Sequence, residues 1–293
     1  MSGAVQENMP AAAAAPPSER KAAGITQGWL LLGLGLAMLG AMLIVTVFAP
    51  LVAPYAPSAT SPDSLAPASA AHWLGTDSIG RDVLSRLIVG GRTTLLITVT
   101  AVFIALVAGL ILGLAAGYLG GFVDEIVMRL LDVVFAFPVL LLAIAVVAAL
   151  GPTVPNLILT IAIVYTPAMA RVVRAPVLSV KQWDHVEAAR SVGMSEIRLV
   201  LRHILPIVVS PILVATSLTL SQTIFTVTAL SFLGLGPPPP DPNWGGMLSE
   251  ARQFMELAPL TVIGPAAAIV FATLTFIIIA NGLREVLDVG SVR

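Results

Sequence analysis

Six apolar runs, set apart by polar stretches, organise this chain. They cover about residues 29–51, 94–118, 126–150, 156–173, 207–230 and 259–280. Each approaches the roughly 20 residues an α-helix needs to cross a hydrocarbon core. The run at 156–173 is the shortest and carries Pro167. The pattern predicts an all-α polytopic membrane protein with six transmembrane helices and both termini on one side. Residues 1–28 are rich in Ala, Pro and Gly, with Arg20 and Lys21 near their end, which predicts a disordered arm. The run that follows exceeds the roughly 7–15 apolar residues of a signal peptide, so an uncleaved first span is expected. Residues 29–293 then read as one transmembrane domain.

The polar stretches have patterns of their own. In 52–92, Val83, Leu84, Leu87 and Ile88 recur at helical spacing opposite Arg81, Ser85 and Arg86. This predicts an amphipathic helix at the membrane interface, within 72–90. In 231–258, Pro237 to Pro240 cannot continue a helix and favour polyproline II, a stiff strap that Asp241 to Gly246 turns back. The stretch 174–206 is a charged helix–turn–helix. Asp184 is placed to cap a helix, with Glu187 three residues on reaching back to complete a capping box. Gly193 supplies a stop, Ser195 caps a second short helix, and Pro206 fits the first turn of the next span.

Composition agrees with a membrane protein. The chain is 57% hydrophobic and 11% charged with a mean hydropathy of +0.97, whereas soluble domains carry about 25% charged residues. With no cysteine, disulfides and thiolate metal sites are excluded. A net charge of −1 gives no basis for nucleic-acid binding. Neither Lys21 nor Lys181 has the neighbours a phosphate-cradling P-loop requires. Placing the termini in the cytoplasm puts 11 of the 15 Lys and Arg residues inside, which predicts cytoplasmic ends and a cytoplasmic 174–206 loop. The outer segments are then 52–92 and 231–258.

Glu187-Ala188-Ala189, three residues, Gly193, nine residues, then His203-Ile204-Leu205-Pro206 resembles the cytoplasmic loop of ABC importer permeases. One departure is His203, which stands where that loop has an apolar residue. Gly75-Thr76-Asp77, Gly80-Arg81-Asp82-Val83-Leu84-Ser85-Arg86 and Ser231-Phe232-Leu233-Gly234-Leu235-Gly236 with its prolines and Asn243-Trp244-Gly245 resemble the C-type second permease of the dipeptide/oligopeptide/nickel family. The likeness covers roughly 29–290. It implies the type I importer permease fold in a bacterial cytoplasmic (inner) membrane, as one half of a heterodimeric pathway for peptides or related small solutes. It also implies two ATP-binding subunits, which hold the ATP and magnesium, and an external substrate-binding protein. This chain would bind no cofactor itself. Asp184, Glu187, Ala188, Ala189, Gly193, Ser195, Leu205 and Pro206 would couple to the ATPase, whereas Asp77, Arg81, Asp82, Pro237 and Trp244 would face the binding protein.

Enzyme chemistry finds little support. There is no His-Glu-x-x-His or Gly-x-Ser-x-Gly, and His72, His185 and His203 divide between the two sides, so neither a catalytic nor a metal site is expected. Gly109, Gly113, Gly117 and Gly121 repeat every fourth residue, the spacing of a close helix-packing face. Arg129 and Asp132, one turn apart, are expected to pair with one another. The fifth run is unusually polar, and Ser217, Ser221 and Gln222 either line a wet route or bond between helices. No intramembrane carboxylate marks a proton-coupled carrier, and no repeat marks a secondary transporter.

Overall fold

The computed structural model describes residues 17–290, with side chains from 26 to 287. Among these residues every regular element is helical, and pairing between extended segments is limited to two isolated bridges, Thr60 with Arg81 and Thr76 with Asp82. In chain order the helices are α1 (Pro17–Val47), α2 (Ala49–Val52), α3 (Val83–Leu119), α4 (Gly121–Phe135), α5 (Val139–Leu150) and α6 (Val154–Val180). There follow α7 (Asp184–Ser191), α8 (Glu196–Leu199), α9 (Leu205–Leu230), α10 (Trp244–Ala251) and α11 (Leu260–Gly290). Five stretches are long and apolar enough to cross a membrane: Thr26–Val47, Val83–Leu119, Val154–Val180, Glu196–Leu235 and Leu260–Leu287. The pair α4 and α5 meets the same measure when taken together.

Several boundaries differ from the sequence expectation. Residues 17–28, expected to be disordered, belong to α1, while residues 1–16 lie outside the described region. The interfacial helix expected within 72–90 is no separate element. Its residues from Val83 form the first turns of the 37-residue α3. Asp82 starts that helix, its Oδ2 accepting from the Ser85 N–H at 2.7 Å and the Ser85 hydroxyl at 2.6 Å. The third span is broken: α4 and α5 meet at 85° across Ala136-Phe137-Pro138. Pro138 has no N–H to continue a ladder and sterically disfavours helix at the residue before it. The fourth span outruns its expected end at 173 by seven residues, because Arg174 to Val180 stay helical despite Pro176. The loop expected at 174–206 shrinks accordingly. The last span likewise runs past 280 to Gly290.

Glycine decides how tightly the spans pack. A Cβ built on Gly109 would lie 2.9 Å from the Ala170 nitrogen, one on Gly113 2.5 Å from the Ala170 oxygen, and one on Gly117 2.9 Å from Val177 Cγ1. The three glycines thus let α3 lie close along α6, against the Ala170 backbone and the side chains of Met169, Val173 and Val177. Gly121 falls outside the seam and would meet nothing. A second seam joins α1 and α11, where Gly35 faces Ile279 and Gly282 faces Leu32. A core of Ile97, Ala101, Ala105, Leu157, Ile161 and Met169 fills the space between α3 and α6. A second cluster, Val173, Val177, Val180, Val208 and Ile212, carries the loop helices.

Replacing Gly113 with leucine drives a side chain into the Ala170 carbonyl. The variant is expected to lose about 1–3 kcal/mol, the usual scale of overpacking. The drop would be read as a lower unfolding temperature in detergent, while the same change at Gly33, which faces open space, has a much smaller effect.

Candidate functional site

The loop between α6 and α9 is the most organised surface at this end of the molecule. Helix α7 buries Val186 and Ala189 against Val177, Val180 and Leu199, the i, i+3 spacing that places both on one face. Gly193, with φ +81°, ends the helix in a Schellman turn. Its N–H donates to the Arg190 oxygen at 3.0 Å, and the Met194 N–H reaches the Ala189 oxygen at 3.3 Å. Met194 then tucks into the same apolar cluster. Few residues other than glycine hold that φ without strain.

The expected capping box does not form. Trp183, not Asp184, is the N-cap, and no side chain bonds the free N–H groups there. Asp184 is the first helical residue, where its charge still favours the helix dipole. Ser195 does occupy the N-cap of α8, again with no side-chain bond. Pro206 lies in the first turn of α9, as expected, but that helix does not start free. A π-helical turn, Val200–Ile204, fuses α8 to α9, and the Leu205 N–H bonds the Val200 oxygen five residues back. Proline cannot donate to the carbonyl four residues before it and crowds it, so the ladder widens by one residue ahead of Pro206.

Polar side chains lash this loop to the ends of α3, α4 and α6. The Lys181 ammonium donates to the Gly117 oxygen at 2.8 Å, capping the end of α3. The Tyr118 hydroxyl meets Glu196, and Arg190 reaches both Tyr118 and Glu196. Arg174 holds Asp124 with two bonds of 2.5 Å. Asp132 pairs with Arg171, whereas Arg129 leans toward Glu125, so the expected Arg129–Asp132 pair is absent. Sequence spacing favoured the neighbour in the chain, but α4 lies beside α6 and Asp132 meets Arg171 there.

With its inner side packed, the loop presents the opposite side outward. Glu187 and Ala188 are exposed, as are Val192, Ile197 and Leu201, at 82%, 76% and 58%. Leu205 is half-buried and Pro206 exposed. The rings of Trp183, His185 and His203 follow one another at 5.7 and 6.3 Å, so His203 stands beside an aromatic group rather than in an apolar core.

On the opposite end, the residues expected to face a binding protein are mostly engaged internally. Arg81 donates to Asp77 at 2.6 Å and to Glu250 at 2.8 Å, and Arg86 donates to Glu250 at 2.9 Å. Asp82 is buried and also bonds His72 Nδ1 at 2.8 Å. Trp244 is buried, its indole N–H donating to the Leu87 oxygen at 2.9 Å. Pro237 is buried as well. Pro238 to Asp241 are exposed, and the run turns at Pro239-Pro240 instead of staying extended. The sequence motif therefore reads as a clamp between the start of α3 and α10. Its long-range partner, Glu250, was missed because nothing local links it to Arg86, 164 residues away.

In α9 the hydroxyls serve mainly their own helix. Thr216, Ser217, Thr219, Thr226 and Thr228 each donate to the carbonyl four residues back. Thr226 also meets the Tyr165 hydroxyl of α6 at 2.8 Å, a bond between helices. Ser217 and Ser221 are buried within the chain, so of the three expected route residues only Gln222 is exposed, beside Phe225.

The fold is that of a multi-helix membrane protein with a tightly packed helical loop at one end. Residues 109–290 match the family described as binding-protein-dependent transport system inner membrane component, and the chain belongs to that family. It is 47% identical over 249 residues to the glutathione transport system permease protein GsiD of Escherichia coli O6:K15:H31 and to that of Shigella boydii serotype 4. The match covers 84% of this chain and 82% of each relative. An inward-facing structure of the MetNI methionine ABC transporter aligns with a TM-score of 0.56 at 19% identity, over 70% of this chain and 96% of that one. An amino acid ABC transporter with histidines aligns at 0.52 and 22% identity, over 65% and 89%. The protein is thus a multi-pass permease subunit of an ABC importer, and membership in the family implies ATPase and binding-protein partners.

The clamp of Arg81 and Arg86 on Glu250 carries its own expectation. Glu250→Gln leaves Arg81 and the buried Arg86 sharing a neutral amide, and stability should fall by about 2–3 kcal/mol, the scale of a lost bond to a charged group. Thermal unfolding of the purified chain measures this, and Glu256→Gln, which makes no such bond, should change little.

Proposed function

We propose that this chain forms half of a translocation pathway for short peptides or related solutes, paired with a homologous permease in a bacterial inner membrane with both its termini in the cytoplasm. Two ATP-binding subunits hold the ATP and magnesium and do the hydrolysis, and this chain contributes no ATPase chemistry. An external binding protein delivers solute, received by the exposed Pro238–Asp241 turn. GsiD relatives are named for glutathione transport, which supports a peptide-like solute here.

One observation carries the reading. Residues 184–206 form a stiff helix pair whose inner side is packed and tied to α3, while Val192, Ile197 and Leu201 are left bare. Apolar side chains held out by a rigid, capped turn suit a cleft on a partner. Closure of the ATPase dimer on ATP would then press this pair and, through it, move α9. Such an element has two positions whose populations ATP binding biases. A structural assembly protein could share the glycine seams, but it would have no use for an inward docking pair of this kind.

Gly193→Asp should cut solute uptake in membrane vesicles to below about a tenth, because aspartate at φ +81° is strained and the turn loses its shape. Insertion and co-purification with the partner permease should persist. Normal uptake in that variant would exclude the lever. Separately, removing Pro238 to Pro240 should weaken capture of the binding protein, measured by its retention on reconstituted transporter, and unchanged retention would exclude that docking role.

A further inference from the structure

A groove with about 670 Å³ of empty space lies between α1, α3 and α11, at the end of the molecule where α3 begins. Met42 and Val45 of α1, Leu87 and Ile88 of α3, and Ala268 and Phe271 of α11 line it. The Trp244 ring forms part of one wall. Toward their other ends α1 and α11 close up, Gly35 against Ile279 and Gly282 against Leu32. The polar side chains in the walls are already spent. The Thr46 hydroxyl donates to the Met42 oxygen at 2.9 Å, and the Trp244 indole N–H to the Leu87 oxygen at 2.9 Å. What remains is hydrocarbon, and Val45 and Phe271 stand exposed in it. The space is little more than one helical turn with its side chains, about 10–12 Å wide and 5.4 Å long. That is too short for another span, but a single acyl chain fits.

Beside the groove stands an unpaired cation. Arg92 is exposed and, among the described residues, has neither an ion pair nor a hydrogen bond. It follows Ile88 by four residues, so the two share a face of α3. Helical side chains point back toward the start of their helix, so its guanidinium reaches over Ile88 toward the end of the span. A Cβ on the adjacent Gly91 would lie 3.2 Å from Thr46 Cγ2, which sets Arg92 level with the last turn of α1. The span of α1 is Thr26–Val47, so that level is headgroup depth. Beyond it Leu96, Val99 and Phe103 continue the same face as an exposed apolar stripe. Asp77, Asp82 and Glu250 already hold Arg81, Arg86 and His72, which leaves Arg92 its full charge. A guanidinium in this position suits a phosphate, and best a headgroup with no ammonium of its own.

We propose that the groove holds one acyl chain of an anionic phospholipid whose phosphate pairs with Arg92. The lipid fills the gap between α1 and the rest of the bundle and ties α1 down at that end. The site depends on the membrane-spanning fold and not on the solute carried.

Trp244 reports on its occupancy. In the full chain with Trp29, Trp73 and Trp183 changed to Phe, Trp244 emission is followed in phosphatidylcholine nanodiscs. Phosphatidylglycerol with brominated acyl chains, which quench indole on contact, is added in rising fraction, and brominated phosphatidylcholine serves as the neutral control. Quenching should saturate, with phosphatidylglycerol favoured about fivefold, the pull of one basic residue on an anionic lipid. Arg92→Gln should bring the two lipids together, whereas Arg92→Lys keeps most of the preference. Ala268→Phe, which fills the groove and leaves Arg92 in place, should cut quenching by both. Arg92 is exposed, so its variants test binding without disturbing the packed interior. Equal quenching by the two lipids, no saturation, or an unchanged preference in Arg92→Gln overturns the site. Loss of quenching when the chain is reconstituted with a co-expressed partner permease would show a protein helix in the groove, and also overturns it.

Discussion

The close approach of α3 and α6 along Gly109, Gly113 and Gly117 is the contact on which the rest of this molecule is built. Lipid offers no hydrophobic gain for joining two apolar helices, so close packing has to supply the attraction, and small residues allow it. The seam ends where the α7–α8 loop begins. Val173 and Val177 on α6 belong to the seam and equally to the floor under α7 and α8. Gly117 also lends its carbonyl to Lys181, and the next residue, Tyr118, meets Glu196. Membrane packing and loop position are therefore one problem with one solution. A shift of α6 along α3 would carry the loop with it.

Continuity matters as much as contact. Because a π-helical turn joins α8 to α9, the second loop helix and the fifth span form one continuous stretch from Glu196 to Leu233, ended by the non-helical Gly234. A flexible joint would absorb displacement as local rotation. Here the helical path runs through Pro206, so Ile197 and Leu201 share one continuous rod with Thr226, which bonds Tyr165 in the core. The hydroxyls of α9 that bond their own carbonyls leave few polar groups stranded along this path.

The parts of this structure that depend on periodicity and composition were legible in the sequence: the apolar runs, the glycine repeat, and the helix stop at Gly193. They follow from short-range rules that the chain states openly. Glu187 and Asp184 show where such rules fail. Their spacing matched a capping box, but Trp183 took the cap because the chain leaves α6 through a turn in which the Trp183 N–H bonds the Val180 oxygen. The charged pairs failed for a related reason. Arg86 with Glu250, Arg174 with Asp124 and Arg171 with Asp132 join residues 39 to 164 positions apart, and only the fold brings them together. Motif resemblance singled out Arg81, Asp82 and Trp244 as facing a binding protein, a role that depends on surface no local rule predicts. Their burial and internal bonds hold the start of α3 to its neighbours.

The elbow between α4 and α5 carries a consequence for the bilayer itself. Twelve residues of α5 rise only about 18 Å, well short of the roughly 30 Å of a hydrocarbon core, and α4 turns away at 85°. The exposed Phe122, Leu130, Val133 and Phe137 around the bend still demand an apolar neighbour. Lipid beside the elbow must therefore dimple inward, unless another subunit fills the notch. Thickness mismatch of this kind costs fractions of a kcal/mol per ångström. Acyl-chain length becomes a variable to which this one corner of the protein responds more than any straight span does.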